Sequence, residues 1–351
     1  MINQSALRHA WRRRRNLLST ALYWTGIGLF YEVAVRPTGG IVLMYHSVAK
    51  NDMAEFIDPP NRLSPAIFEQ QMSFLSKYRK VISLSKMAEK ILAGETLGAG
   101  CVAITFDDGY LDNFHVAAPI LGKYHLPATL FLATGYVQRA EAQWVDLLYW
   151  LLESHTRNVL HLPQTGCLHL NLSVQNEKYL AKKMVHRYLL EATYENRSLL
   201  LHEIKEQLKP ISPLPPRLTM NWNEVRELVR KYPIIEIGGH TRNHIDLKSH
   251  DSALAYQEIA GCCADIEKEL GDKPKLFSFP YGRWNEKSRR IVTESGWVCA
   301  AGANRMVRVD AGGDLYSIER VDAPRTMTDF RFKTSGSYPG ILSALGVGRF
   351  S

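Results

Sequence analysis

Cysteine is scarce in this chain and carries no pattern. Five cysteines occur among 351 residues, with Cys262 and Cys263 adjacent and no Cys-x-x-Cys spacing. An odd, unpatterned set argues against a disulfide framework and against a zinc–thiolate site. Cys101 and Cys299 sit in apolar runs, where a thiol behaves as a small hydrophobe. Acidic residues are absent before Glu32, whereas Arg8 and Arg12 to Arg15 supply five positive charges there. Removing those five from the net charge of +8 leaves +3, so the body of the chain has no excess of charge for a nucleic-acid surface. Internal repeats and low-complexity tracts are also lacking.

The N-terminal segment lacks the length to be a membrane span. Leu17 to Tyr31 is uncharged, but Glu32 stops the run short of the ~20 apolar residues a bilayer requires. Val33-Ala34-Val35 is a poor signal-peptidase site. The segment reads as an interfacial amphipathic helix, with Tyr23 and Trp24 at headgroup level and arginines toward anionic lipid. That reading implies peripheral membrane contact on the cytoplasmic side. A basic helix capping the domain and a signal anchor placing the domain in the envelope stand as alternatives.

What is present is a substantial apolar content. At 46% hydrophobic and 22% charged, the chain can bury a large core. Short β-branched runs recur: Gly40 to Tyr45, Lys80 to Leu84, Cys101 to Phe106, Ala128 to Ala133, Ile234 to Gly238, Leu276 to Phe279, Val298 to Gly302 and Tyr316 to Val321. Helical patterns lie between them, over Ala66 to Tyr78 behind a Ser64-Pro65 start, Trp222 to Lys231 and Ala253 to Leu270. This alternation predicts an α/β barrel or a doubly wound sheet. Between Val137 and Leu218 the strand rhythm stops. Asp146 to Glu153, Glu177 to Tyr194 and Arg197 to Leu208 read as helices of an insertion packed on the barrel, either a wall of the substrate groove or an accessory layer.

Four short strings carry the chemistry, each at the end of an expected strand. Thr105-Phe106-Asp107-Asp108-Gly109 places adjacent carboxylates after an apolar run, where they are costly unless paired or metal-bound. Alternation points the two side chains in different directions, so one is suited to bind metal while the other stays free as a base. His240-Thr241-Arg242-Asn243-His244 supplies two imidazoles four residues apart, a spacing that faces one way on a helical turn. Gly238 and Gly239 before it permit close backbone approach or unusual φ/ψ. Phe279-Pro280-Tyr281-Gly282 and Met44-Tyr45-His46-Ser47-Val48 complete the set. Taken singly, an Asp-Asp-Gly turn or a lone histidine is ordinary structure.

Taken together and in order, Thr-Phe-Asp-Asp-Gly, His-Thr-x-x-His and Pro-Tyr-Gly resemble the polysaccharide deacetylase family, the NodB-homology or carbohydrate esterase 4 group. The resemblance runs from about Ile41 to about Val321, and the Tyr45-His46 opening is similar to the branch of bacterial exopolysaccharide N-deacetylases, including the poly-N-acetylglucosamine enzymes. It implies a distorted (β/α)7-type barrel with a mostly helical insertion. The domain would span 40–330, with the insertion at about 138–218, a basic and apolar segment at 1–39, and a tail at 331–351. It implies that Asp108, His240 and His244 bind a divalent metal, Zn2+ first, with Co2+, Mn2+, Ni2+ or Fe2+ compatible with the same ligands. Asp107 would be the general base, and Tyr281 would line the site with its backbone N–H toward the oxyanion. Two departures stand out. The family arginine and proline before Pro-Tyr-Gly are replaced by Ser278 and Phe279, and no histidine follows His250 to supply the usual general acid. Arg320 is the replacement expected for the arginine, and His46 for the acid. The substrate implied is an N-acetylated polysaccharide or oligosaccharide, with Tyr45, Trp144, Trp222 and Tyr281 as candidate stacking faces. A lipid-linked sugar intermediate and a catalytically silent carbohydrate-binding protein are the alternatives; no nucleic-acid partner is expected.

Overall fold

The computed structural model describes residues 38–98, 100–211, 215–302 and 309–335. The expected N-terminal helix lies outside the described residues. Eight strands form one sheet: β1 (Ile41–Tyr45), β2 (Lys80–Val81), β3 (Cys101–Phe106), β4 (Ala128–Leu132), β7 (Ile235–Gly239), β8 (Leu276–Ser278), β9 (Cys299–Ala301) and β10 (Val321–Asp322). A separate hairpin pairs β5 (Val159–Leu162) with β6 (Cys167–Asn171). The order across the large sheet is β10-β1-β3-β4-β7-β8-β9, with β2 against the start of β3. Its paired strands run parallel, as buried βα units require. β1 is apolar throughout and β3 carries one polar residue, Thr105; every residue of each is buried, with Leu43, Val102 and Ile104 packed under helices and Val42 and Ala103 packed with Phe131, Leu276 and Ala301 of the other strands.

Closure comes from one short segment. Ile318 bridges to Ala301 on β9, and three residues later Val321 pairs with Leu43 on β1. The same stretch of chain thereby touches both edges of the sheet and completes the distorted barrel. The expected strand Tyr316 to Val321 is thus reduced to a bridge and the two-residue β10. The expected strand Lys80 to Leu84 is also shorter. It stops at Val81 because Ser83 turns to cap the helix Leu84–Leu92, its Oγ accepting from Lys86 N.

Helix starts follow their sequence signals. Ser64 Oγ accepts from Ile67 N and Pro65 occupies the first turn of Pro65–Tyr78, which buries Phe68, Gln71, Met72 and Leu75 on one face. Asn221 and Glu224 form a capping box for Trp222–Lys231, burying Trp222, Val225 and Leu228. Ser252–Leu270 begins at Asp251, which caps Leu254 N, and ends at left-handed Gly271.

The stretch between β4 and β7 builds its own core. Helices Trp144–Glu153, Gln175–Glu191 and Tyr194–Leu208 enclose a cluster including Leu148, Leu151, Val185, Leu189, Leu200 and Ile204. The β5–β6 hairpin contributes Leu160 and Leu162 to this cluster, two short strands within the mostly helical insertion. Its turn signal is present in Pro163-Gln164-Thr165-Gly166, with Gly166 at φ 80°. Near the end of the described chain, the helix Met327–Thr334 runs across the expected domain end and buries Phe330 and Phe332.

Candidate functional site

All four strings converge at the C-terminal ends of the strands, the face where barrel enzymes build active sites. Met44, His46, Asp107, Asp108, His240, His244, Tyr281, Gly282 and Arg320 line a cavity of about 300 Å3 there. Asp58, Pro60 and Asn61 from the loop after β1, with Val145 and His186 from the insertion, form its remaining wall. Two side chains of the insertion thus line the cavity.

The two aspartates diverge, as strand alternation predicts. Asp107 is buried and meets Arg320 in a two-pronged ion pair, Nη1 to Oδ1 and Nη2 to Oδ2, both 2.7 Å. Arg320 is itself buried, and its fork is fully occupied. Nε donates to Gly302 O at 3.0 Å, Nη1 also to Thr105 Oγ1 at 3.2 Å, and Nη2 also to Ser278 Oγ at 2.7 Å. The serine in place of the family arginine thus accepts a hydrogen bond from the arginine expected to replace it. Burial raises the Asp107 pKa, but the charge of Arg320 and its hydrogen bonds outweigh it and hold the carboxyl well below the usual range.

Asp108 turns the other way, with its backbone in the left-handed region at φ 73°. Its Oδ1 is buried and receives no hydrogen bond. Burial, then the charge of Asp107, then that of Asp146 push its pKa up, so the ionised form needs a cation nearby. The histidine nitrogens supply the rest of that environment. His240 Nδ1 lies 2.7 Å from Ser278 O and His244 Nδ1 lies 2.9 Å from Tyr281 OH. The carbonyl can only accept, which places the His240 proton on Nδ1 and leaves the Nε2 lone pair free. The same tautomer suits His244, since Tyr281 OH also donates to His244 O at 3.1 Å and accepts from Trp144 Nε1 at 2.8 Å. Burial keeps both imidazoles neutral, lowering His240 to about 4 and holding His244 well below its ordinary value.

The three free donor atoms form a nearly equilateral triangle. His244 Nε2 is 3.2 Å from Asp108 Oδ1, His240 Nε2 is 3.6 Å from it, and the two Nε2 atoms are 3.2 Å apart. Tetrahedral bonds of about 2.0–2.2 Å set ligand atoms about 3.3–3.6 Å apart, so the triangle fits such an ion. Two facing lone pairs and an orphaned carboxylate oxygen are costly when buried, and a divalent cation satisfies all three at once.

The His240–His244 string lies in a loop rather than on a helical turn. Thr241 and His244 have φ of 62° and 50°, which bends the chain so that both rings face one point. Gly238 and Gly239 serve close approach. A Cβ on Gly238 would meet Leu276 O at 2.6 Å, and one on Gly239 would meet the Trp297 ring at 2.5 Å.

His46 is half-buried at the end of β1 and faces the cavity. Burial lowers its pKa, while the charges of Asp107 and Asp322 pull it back up. Tyr281 lies in the left-handed region at φ 59°, an uncommon conformation for an aromatic residue. Of the four candidate stacking rings, Tyr281 alone lines the cavity. Tyr45 is buried with its hydroxyl donating to Gln71 Oε1, Trp222 is buried on Gln138, and Trp144 is buried behind Tyr281. Sequence patterns miss Asp58, Asn61 and His186, which lack any strand-end position or motif to mark them.

Comparison with known proteins places this geometry in a family. The sequence model for polysaccharide deacetylases matches residues 94–300, more than half of the chain. The Bacillus subtilis (strain 168) protein YxkH, named as a polysaccharide deacetylase, is 29% identical over 166 residues, 45% of this chain. The matched region spans 57% of that relative's length. Among solved structures, the Streptococcus pyogenes deacetylase PplD in complex with acetate shares the fold at a TM-score of 0.56 and 18% identity, over 85% of this chain and 99% of its own. IcaB from Ammonifex degensii is similar at a TM-score of 0.55 and 18% identity, over 86% and 98%. The family model's span includes the aspartate and histidine strings. The chain belongs to the polysaccharide deacetylase family.

Proposed function

We propose that the protein is a metal-dependent carbohydrate N-deacetylase, hydrolysing the acetamide of N-acetylated sugars in a bacterial exopolysaccharide. The observation that carries the reading is the pairing of an orphaned donor triangle with an adjacent, separately held carboxylate. Asp108, His240 and His244 would hold the metal. Such an ion, when bound, polarises the acetamide carbonyl and lowers the pKa of a water molecule.

The chain's own residues handle the protons. Asp107 is ionised and fixed by Arg320, so it takes the proton of the attacking water as the new carbon–oxygen bond forms. The Tyr281 N–H is not used by the turn's own hydrogen bonds, which begin at Gly282 N and Arg283 N, and it serves the developing oxyanion. His46 gives a proton to the departing nitrogen as the carbon–nitrogen bond breaks, leaving acetate and a free amino sugar. His46 must therefore be protonated when the tetrahedral species collapses, and the nearby Asp107 and Asp322 favour that state against burial.

The test is acetate release from N-acetylglucosamine oligomers, before and after metal removal by a chelator. The reading expects release that stops on chelation and returns with Zn2+ or Co2+. Stoichiometric metal uptake without acetate release from any acetylated glycan would instead favour a silent carbohydrate-binding protein. His46→Ala is expected to lower turnover by about 10^2-fold or more while leaving metal content intact.

A further inference from the structure

The insertion does more than wall the groove, because one of its buried side chains holds the loop that carries His244. Arg197, in the helix Tyr194–Leu208, is 1% exposed. Its hydrogen bonds end on main-chain carbonyls of two separate segments. Nε donates to Leu189 O at 2.7 Å and Nη2 to Leu190 O at 3.4 Å, both in the last turn of Gln175–Glu191. Nη1 donates to Asn243 O at 2.9 Å and to His244 O at 3.0 Å. The guanidinium also lies 5.1 Å from the centre of the Trp144 ring. Gln175–Glu191 has no basic residue in its own last turn, so Arg197 supplies the charge that its C-terminal carbonyls favour.

The loop it grips is strained. Thr241 and His244 both occupy the left-handed region, and such conformations persist only when surrounding contacts over-determine them. Main chain and side chains both provide those contacts: Thr134 N and Gly135 N donate to Thr241 O and Arg242 O, Arg242 pairs with Asp265, and Arg139 Nη2 donates to Asn243 Oδ1 at 3.0 Å. Glu258 accepts from Asn243 N and Nδ2 at 2.7 Å each, Tyr281 OH donates to His244 O, and Arg197 grips the two successive carbonyls. Arg139 and Arg197 both belong to the insertion, and of these two it is Arg197 that reaches the main chain of His244.

We propose that Arg197 is a positioning residue that holds His244 in its left-handed, ligand-presenting conformation and couples the insertion to metal affinity. The inference rests on the reading of Asp108, His240 and His244 as metal ligands. Geometry and charge make opposite demands here. A positive charge near the site repels a divalent cation, so charge alone would make removal of Arg197 tighten metal binding. The planar fork works the other way, since it can bridge two carbonyl pairs and an ammonium cannot.

The test is the Zn2+ dissociation constant of the full chain, measured by competition with a chromophoric chelator. Arg197→Lys keeps the charge and loses the fork; Arg197→Gln loses both. Each is expected to raise the dissociation constant about tenfold or more, in line with other residues that orient metal ligands. Leu160→Ala, a core truncation in the hairpin of the insertion, controls for general destabilisation and is expected to stay within about twofold of the unmodified protein. Unchanged affinity in Arg197→Lys, tighter binding in Arg197→Gln, or an equal loss in Leu160→Ala overturns the proposal. Should the Arg197 variants not fold, hydrogen exchange on the unmodified protein decides. Coupling is reciprocal, so Zn2+ is expected to slow amide exchange in Gln175–Glu191 and Tyr194–Leu208, and unchanged exchange there contradicts it. Failure of the unmodified protein to take up Zn2+ overturns the metal reading itself, and the inference with it.

Discussion

Arg320 shows how one side chain can replace a motif. Its five N–H groups reach Asp107 twice, Thr105, Ser278 and Gly302, and none is left for water to satisfy. Such a pair is strongly destabilising to break, by about 3–5 kcal/mol, because the remaining buried carboxylate has no counter-charge. Arg320→Met is expected to lose stability of that order by urea denaturation. Arg320→Lys is expected to retain part of the stability yet lose the two-pronged geometry. In both variants the Asp107 pKa moves upward, since the charge and hydrogen bonds that depress it are gone or weakened. The gap at Ser278 is legible in sequence, and so is a candidate arginine 42 positions later. Their meeting is not, because it depends on the closing segment running past β8 and β9. Arg197 is likewise invisible in sequence: an arginine in a helical pattern looks like any solvated cation until its carbonyl partners are known.

Among the elements, the strand ends repeat the same close fit. β7 approaches its neighbours so closely that Gly238 has room for a hydrogen atom only, since a methyl group there would lie 2.6 Å from both Leu276 O and the Phe131 ring. A main-chain oxygen cannot swing aside as a side chain can. Gly238→Ala is expected to destabilise the fold by about 1–3 kcal/mol, read from the denaturation midpoint at an unchanged m-value. The insertion helix Trp144–Glu153 carries a different signature in Asp146. This carboxylate is fully buried, accepts from Tyr110 OH and Asp58 N, and is pushed up to about 7, chiefly by burial. A raised carboxyl pKa means that the folded state holds the proton more tightly than the unfolded chain. The resulting stability is complete below about pH 4, the unperturbed aspartate range, and is lost as pH rises through 7. Between about pH 5 and pH 8 the unmodified protein is therefore expected to lose stability on the order of 2 kcal/mol that Asp146→Asn does not lose. Equal losses in the two proteins would remove Asp146 as the cause. Helix starts are legible in sequence because Ser64, Asn221 and Asp251 cap their helices through local hydrogen bonds. The β5–β6 hairpin is not, since its short strands are half-exposed and their apolar positions mimic the adjoining helices.

At the scale of the whole molecule, a parallel barrel gathers residues distant in sequence onto one face. His46, Asp107, His240, Tyr281 and Arg320 arrive from the ends of successive strands or from the closing segment, and the insertion adds Val145 and His186 to the same cavity. The ordered strings carry most of this in sequence because each begins at or just past a strand end. The wall contributed by Asp58, Asn61 and His186 depends on how the insertion packs, and no period or motif encodes that. The central claim is a division of labour between two adjacent carboxylates. It is tested most directly by measuring metal content and acetate release in parallel for Asp107→Asn and Asp108→Asn. Asp107→Asn is expected to keep its metal and lose turnover by at least about 10^2-fold, whereas Asp108→Asn is expected to lose both. A metal-free Asp107→Asn protein beside a metal-loaded Asp108→Asn protein would contradict the claim.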